Sequence, residues 1–339
     1  IVIDGAGDLS RLGDPWPQEP ESWDETDKQK AKKFLAHTDI TIWTPGSEKG
    51  NPIYLDPIPD FSAIRDNADE LEQAIMMTRE SLQGIVAPGS SAIARNKIGV
   101  LSAALHYFSN MDHTRGLSDF IELLSDLPPG AGGGITNAEK LARAMSDNLK
   151  AQVQIDVLIR QSDPILDPAT LLGLNNNSKK TQISVISFIG LPTLEAQRQF
   201  LNHLSMSLFT WIKKNPATLR GLLIIDEAKD FIPSGQSTPC KSSLIRLAAQ
   251  ARKYGLGLLF ATQAPKSIDH NIIANCSTQF YGRANSPAAI ETIQEQIRNQ
   301  GGTGSDIPKL KPGQFYAYSV GMGSPLKLSV PLCLSHHPS

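Results

Sequence analysis

Short runs of branched apolar residues alternate along the chain with longer stretches whose apolar positions recur at helical spacing. Residues 1–4 (IVID), 182–189 (QISVISFI), 222–225 (LLII) and 256–262 are too short for free-standing helices, and they predict strands buried on both faces of a sheet. Helical periodicity runs through 63–82, 96–108, 117–124, 138–158, 194–214, 242–254 and 288–298, and Gly255 closes one of these stretches as a C-cap would. The order strand, helix, strand, helix, strand between 182 and 263 implies right-handed crossovers into a parallel sheet. Residues 276–281 and 315–320 read as further strands and 326–332 as an edge strand, while 40–44 and 53–55 read as a hairpin around a proline-bearing turn.

The helical stretches of the middle are separated by the breakers APGSS and PPGAGGG, so this part reads as a helical block set between core strands. The expected organisation is an N-terminal part of an α/β core over 1–60, a mainly helical insertion over 61–180, the remaining core over 181–334 and a polar tail over 335–339. The run from Gly130 to Gly134 lacks a following Lys-Ser/Thr and a preceding strand, and it reads as a flexible linker rather than a phosphate loop. Residues 15–33 are polar, charged and proline-bearing, which suits an exposed loop leading into a solvated helix.

Composition narrows the function classes. The chain has 339 residues, 40% hydrophobic and 19% charged, an ordinary globular balance with room for one large α/β domain or two smaller ones. No apolar run approaches the length that spans a bilayer, so direct membrane insertion is not expected. The formal net charge of -2 gives no global attraction to nucleic acid. Cys240, Cys276 and Cys333 form no CxxC pair, which argues against a zinc site or disulfide framework and for a reducing, cytoplasmic setting. The first residue is Ile1 rather than Met and stands inside a strand pattern, so the expectation is a chain cut from a longer protein.

Candidate chemistry concentrates where the strands end. Asp226 and Glu227 follow LLII at the carboxyl end of a buried strand, where open α/β sheets bind ligands. The pair reads as a Walker B element, one acid organising Mg²⁺ and its water, the other polarising the water that attacks a γ-phosphate. Thr262-Gln263 ends the next strand, and Arg252-Lys253 ends the helix between the two.

These stretches, LLIIDEAKDF, AAQARKYGLGLLFATQAP, IIANCSTQFYGRAN and more weakly IVIDGAGDLSRL, resemble the HerA/FtsK superfamily of ring-forming P-loop ATPases, and within it the HerA-like helicase-domain proteins. The resemblance implies an α/β, RecA-like P-loop NTPase core with a mainly parallel sheet and a helical insertion. It implies ATP and Mg²⁺ as ligands, Asp226 as the metal-organising acid, Glu227 as the base and Gln263 as a γ-phosphate or water sensor. Arg252 or Arg283 would be the arginine finger offered to a neighbouring subunit, and Asp4 and Asp8 would border the nucleotide, unless they only cap the turn and helix that follow. Partners implied are further copies in a hexameric ring, DNA and a nuclease. The alternatives are a remnant module without nucleotide chemistry and a related ATPase that powers transfer through a membrane channel.

One motif of that class is missing. No GxxxxGK[ST] occurs, and the nearest approach, GQSTPCKS over 235–242, has Cys240 at the second glycine and reads as a surface loop opening a helix. The resemblance implies a P-loop just upstream of Ile1, and this chain alone is expected to hydrolyse ATP poorly or not at all.

Overall fold

A computed structural model of the chain describes residues 1–112, 116–156, 158–159, 167–176 and 178–336. The branched runs form a five-stranded, wholly parallel sheet. Its strands are β1 (Val2–Asp4), β2 (Thr38–Trp43), β3 (Thr181–Ser187), β4 (Gly221–Ile225) and β5 (Leu256–Phe260), in the order β2-β3-β1-β4-β5. Helix α1 (Glu25–His37) joins β1 to β2. Between β2 and β3 lie α2 (Ala68–Val86), α3 (Ala92–Ser109), α4 (Leu117–Ser125), α5 (Ala138–Ile155) and the short α6 (Pro168–Leu171). Helix α7 (Leu194–Lys214) leads to β4, and α8 (Lys241–Gln250) leads to β5.

Helices α7 and α8 supply the apolar cover for one face of this sheet. Phe200, Leu204, Leu208, Leu244 and Leu247 share a core with Ile3, Ile186, Leu223 and Ile225. Thr193 caps α7 by accepting the Ala196 amide at 3.2 Å. Helix α8 tightens into a 3₁₀ turn and stops at Gly255, whose φ of 85° and 2.4 Å approach of a would-be Cβ to the Ala217 carbonyl oxygen admit only glycine. The expected burial of residues 222–225 on both faces holds for Leu223 and Ile225 only. Leu222 is 48% exposed and Leu259 of β5 is 45% exposed, because the helices pack on the opposite side, and β5 pairs on one edge alone.

A second core lies within the helical block. Ile75, Leu82, Leu101, Leu105, Phe120, Met145 and Leu149 are fully buried together, and Phe108 meets Phe120 edge-on at 5.2 Å. Helix α4 begins at Gly116, which has no side chain to cap it, so Asp56 reaches in and accepts the Leu117 amide at 3.0 Å. Burial pushes the Asp56 carboxyl up to about 6 against these hydrogen bonds. The glycines between α4 and α5 are not a flexible linker: a Cβ on Gly132 would lie 2.5 Å from that of Ala138, and one on Gly133 2.9 Å from that of Ala103. They let this turn pack tightly.

The helical block is bound to the core mostly through α2. Glu70 accepts the Tyr254 hydroxyl at 2.5 Å and pairs with buried Lys213 at 3.5 Å, Gln73 accepts the Gln250 amide at 2.8 Å, and Glu80 accepts the Ser242 hydroxyl at 2.5 Å. Buried His203 of α7 meets the Ser81 hydroxyl at 3.2 Å.

Beyond β5 come α9 (His270–Asn275), β6 (Thr278–Tyr281), α10 (Pro287–Asn299), β7 (Gln314–Ser319) and β8 (Leu326–Ser329). The three strands form an antiparallel sheet in sequence order. Tyr281 and Tyr316 on one face pack with Ile293 and Ile297 of α10, while Phe280 and Leu326, joined through Ala317 on the other face, stay exposed. Two further expectations are corrected. Residues 53–55 do not pair with β2 as a hairpin: β2 runs parallel to β3, Asn51 makes a lone parallel bridge to Trp43, and Ile53 and Leu55 go into the core. The start of the polar tail is docked, with Ser335 buried and His336 edge-on to Trp16 at 5.1 Å, while 337–339 lie outside the described residues.

Desolvation lowers the His203 pKa to about 4, below its ordinary 6.5. The unfolded chain therefore binds the extra proton first, and folding stability should fall as pH drops from about 6.5 toward 4. Urea unfolding of wild type and His203→Gln at pH 7 and pH 5 should show the wild type losing on the order of 2 kcal/mol more than the variant. Equal losses would show that His203 is not the titrating group.

Candidate functional site

Three adjacent strands end together. Ile3 of β1 lies beside Ile225 of β4, and Ile225 lies beside Phe260 of β5, so the next residues, Asp4, Asp226 and Ala261, reach one edge of the sheet side by side. The ladder continues past the strands: the Asp226 amide points to the Ile3 carbonyl at 3.4 Å, the Ala261 amide donates to the Ile225 carbonyl at 3.0 Å, and the Ala228 amide donates to the Ala261 carbonyl at 2.8 Å. The tips thus meet as they do at ligand sites of open α/β sheets.

Glu227 holds an unusual backbone. Its φ of 47° and ψ of 44° lie in the left-handed region, one of two non-glycine residues with positive φ among those described. That conformation costs on the order of 1 kcal/mol for an L-residue. It turns the chain sharply off β4 into the 228–230 turn and swings the side chain toward β5, where Gln263 Nε2 donates to Glu227 Oε1 at 2.7 Å. The structure therefore brings together Glu227 and Gln263, two candidates 36 residues apart.

Asp4 is the most buried acid at this edge. It is 1% exposed, its Oδ1 accepts the Gly7 amide at 2.8 Å, and its Oδ2 is buried without a hydrogen-bond partner. Burial raises its pKa, the Gly7 and Leu9 amides oppose the rise, and the charges of Asp8 and Asp226 add to it. The charges of Asp8 and Asp226 therefore reach Asp4. Asp4 also serves the alternative role, since its bond to Gly7 closes the turn after β1. Two acids near one another, one with an orphaned oxygen, fit a hydrated Mg²⁺, which keeps several waters and takes one or two carboxylates. Among the described residues no three His, Cys, Asp or Glu side chains converge into a cage made by protein alone.

The arginines lie elsewhere. Arg252 is exposed in the turn before β5, at the amino end of the strand whose other end leads to Gln263, roughly 16 Å away along the sheet. It does not complete a phosphate site with the acids of its own chain. Arg283 follows β6, is exposed and donates from Nε to Asn285 at 3.1 Å. In the GQSTPCKS stretch, Lys241 opens α8, and its ammonium is held by Asp269 at 2.8 Å and the Pro233 carbonyl at 2.7 Å, so it is not presented to a phosphate. A cavity of about 560 Å³ lined by Glu80, Lys241 and Ser242 lies at the junction of α2 and α8 and includes none of the strand-tip acids.

One side chain at the tip escapes sequence reasoning. Lys229 places its ammonium 3.6 Å from Glu227 Oε2. In DEAKDF it reads only as another polar position, because nothing in the spacing announces the left-handed turn that folds it back.

No family model matches the chain. Protein P9 of Pseudoalteromonas phage PM2 is 33% identical over 76 residues, 22% of this chain and 34% of P9. The DNA double-strand break repair helicase HerA of Saccharolobus solfataricus is 23% identical over 256 residues, 74% of this chain and 47% of HerA. The chain thus spans less than half the length of either curated relative. Plasmid coupling protein TrwB in complex with ADP and Mg²⁺ matches 100% of this chain and 86% of its own, with a TM-score of 0.50 and 12% identity. Among the described residues no helix is long and apolar enough to cross a membrane. The chain is thus similar in sequence to HerA, and it has an α/β fold like that of TrwB, built here on a five-stranded parallel sheet.

Proposed function

We propose that the protein hydrolyses ATP to drive movement along DNA, as a HerA-type translocase, and that this chain carries its acid and sensor groups. The observation that carries the reading is the Glu227–Gln263 hydrogen bond at 2.7 Å, on strand tips that also bear Asp4 and Asp226. Asp226, with Asp4 beside it, would hold the water shell of a Mg²⁺ ion, which when bound would neutralise phosphate charge. Glu227 takes the proton of the attacking water, and Gln263 keeps Glu227 and that water in line.

No GxxxxGK[ST] stretch occurs in this chain to cradle the phosphates. The free edge of β5 and the bare face formed by Leu222 and Leu259 fit one more strand and a covering helix, and a strand–loop–helix unit bringing a Walker A loop there would stand beside the acids. Because Arg252 lies at the far end of its own sheet, its use at the γ-phosphate requires a neighbouring copy, which favours a ring, taken here as a hexamer; exposed Arg283 is the other donor. DNA would pass such a ring, with a nuclease as an accessory partner.

ATP hydrolysis by the full-length parent should rise with duplex DNA and fall by about 10²- to 10⁴-fold in Glu227→Gln. Absent turnover and absent nucleotide binding in the wild type would move the assignment to a remnant module. The 339-residue chain by itself should turn over ATP far more slowly than the parent, and equal rates would refute the missing cradle. Glu227→Gly should remove the base while leaving folding stability within about 1 kcal/mol of wild type, because glycine relieves the left-handed strain as the contacts to Gln263 and Lys229 are lost. Denaturant unfolding that shows a larger loss would mean these contacts outweigh the strain.

A further inference from the structure

Both oxygens of the Glu227 carboxylate are faced by donors. Gln263 holds Oε1 at 2.7 Å, and the Lys229 ammonium stands 3.6 Å from Oε2, an oxygen that is otherwise buried without a hydrogen-bond partner. Among the described residues Glu227 is the only carboxylate within 4 Å of Lys229. The turn that sets this arrangement is itself fastened. The Asp230 amide donates to the Glu227 carbonyl at 2.9 Å, the Ala228 amide to the Ala261 carbonyl at 2.8 Å, and Arg198 Nε of α7 to the Asp230 carbonyl at 2.7 Å. Lys229 is 35% exposed and Glu227 23% exposed, so the pair is partly sheltered from water.

We infer that Lys229 is a positioning residue for Glu227: with Gln263 it forms a two-point clamp that fixes the plane of the carboxylate at the β4 tip. The inference rests on the reading of Glu227 as the base that receives a proton from the water attacking a nucleoside triphosphate. A carboxylate held at one oxygen swings about its last torsion, which is broad and nearly two-fold. Held at both, it presents its remaining lone pairs in one direction, and a misplaced base loses rate without losing substrate affinity. A partly exposed ion pair is worth up to about 1 kcal/mol, which corresponds to about a fivefold change in rate.

Two measurements test the clamp. In the 339-residue chain without nucleotide, the Gln263 side-chain amide resonances should shift in Lys229→Met and return in Lys229→Arg; unmoved resonances in the methionine variant overturn the clamp. In the full-length parent, Lys229→Met should lower kcat for ATP about fivefold with KM unchanged, and Lys229→Arg should restore it. An unchanged or raised kcat, or a change confined to KM, overturns the positioning role. A parent wild type that neither binds nor hydrolyses ATP removes the proposed function, and with it the role in catalysis, while the resonance shifts still decide whether the clamp exists.

Discussion

Parallel backbone pairing among β1, β4 and β5 is the constraint on which the site depends. The register that sets Ile3 beside Ile225 and Ile225 beside Phe260 is held by burial of Leu223 and Ile225 under α7 and α8. A slip of one residue would turn both side chains to the opposite face, so the core enforces the register. The same register carries Asp4 and Asp226 to one edge. Burial of Asp4 at this edge is unfavourable for its charge, the nearby charges of Asp8 and Asp226 add to that, and the raised pKa of Asp4 expresses the cost. A bound cation would relieve it.

Local strain and tertiary contacts cooperate at Glu227. A left-handed glutamate survives because the turn after it is hydrogen-bonded to β5 and to α7. The outcome is a carboxylate aimed across the sheet toward Gln263 rather than along its own strand. Helix α7 thereby has two duties, covering the sheet through Phe200 and Leu204 and steadying the turn through Arg198.

The helical block has its own core, yet it meets α7 and α8 through Glu70, Gln73 and Glu80. Lys213 is lodged in this seam against the Phe209 ring, 3.8 Å from its centroid, and burial lowers its pKa despite Glu70. Removing Glu70 would leave a buried ammonium uncompensated, so the seam is specific rather than a greasy contact. It ends at Tyr254, next to Arg252, and ties the block to the end of the core that faces away from the acids.

Contiguous apolar runs and helical spacing were enough to read the strands, the long helices, the Gly255 stop and the acids at the end of LLII, because these features follow from backbone geometry and side-chain polarity within a few residues. The α/β core and the resemblance to HerA-like proteins were read from the same stretches. Other features were decided only when distant segments met. Asp4 reaches Asp226 through a ladder that spans more than two hundred residues of chain, Arg252 is carried away from the acids by the direction of β5, and Asn51 bridges in parallel because β3 claims β2. Leu222 looks as apolar as Leu223, and the glycines at 130–134 look as loose as any linker. Which side of a strand a helix covers, and whether a turn is packed, depends on neighbours far along the chain, and a local pattern carries no information about them.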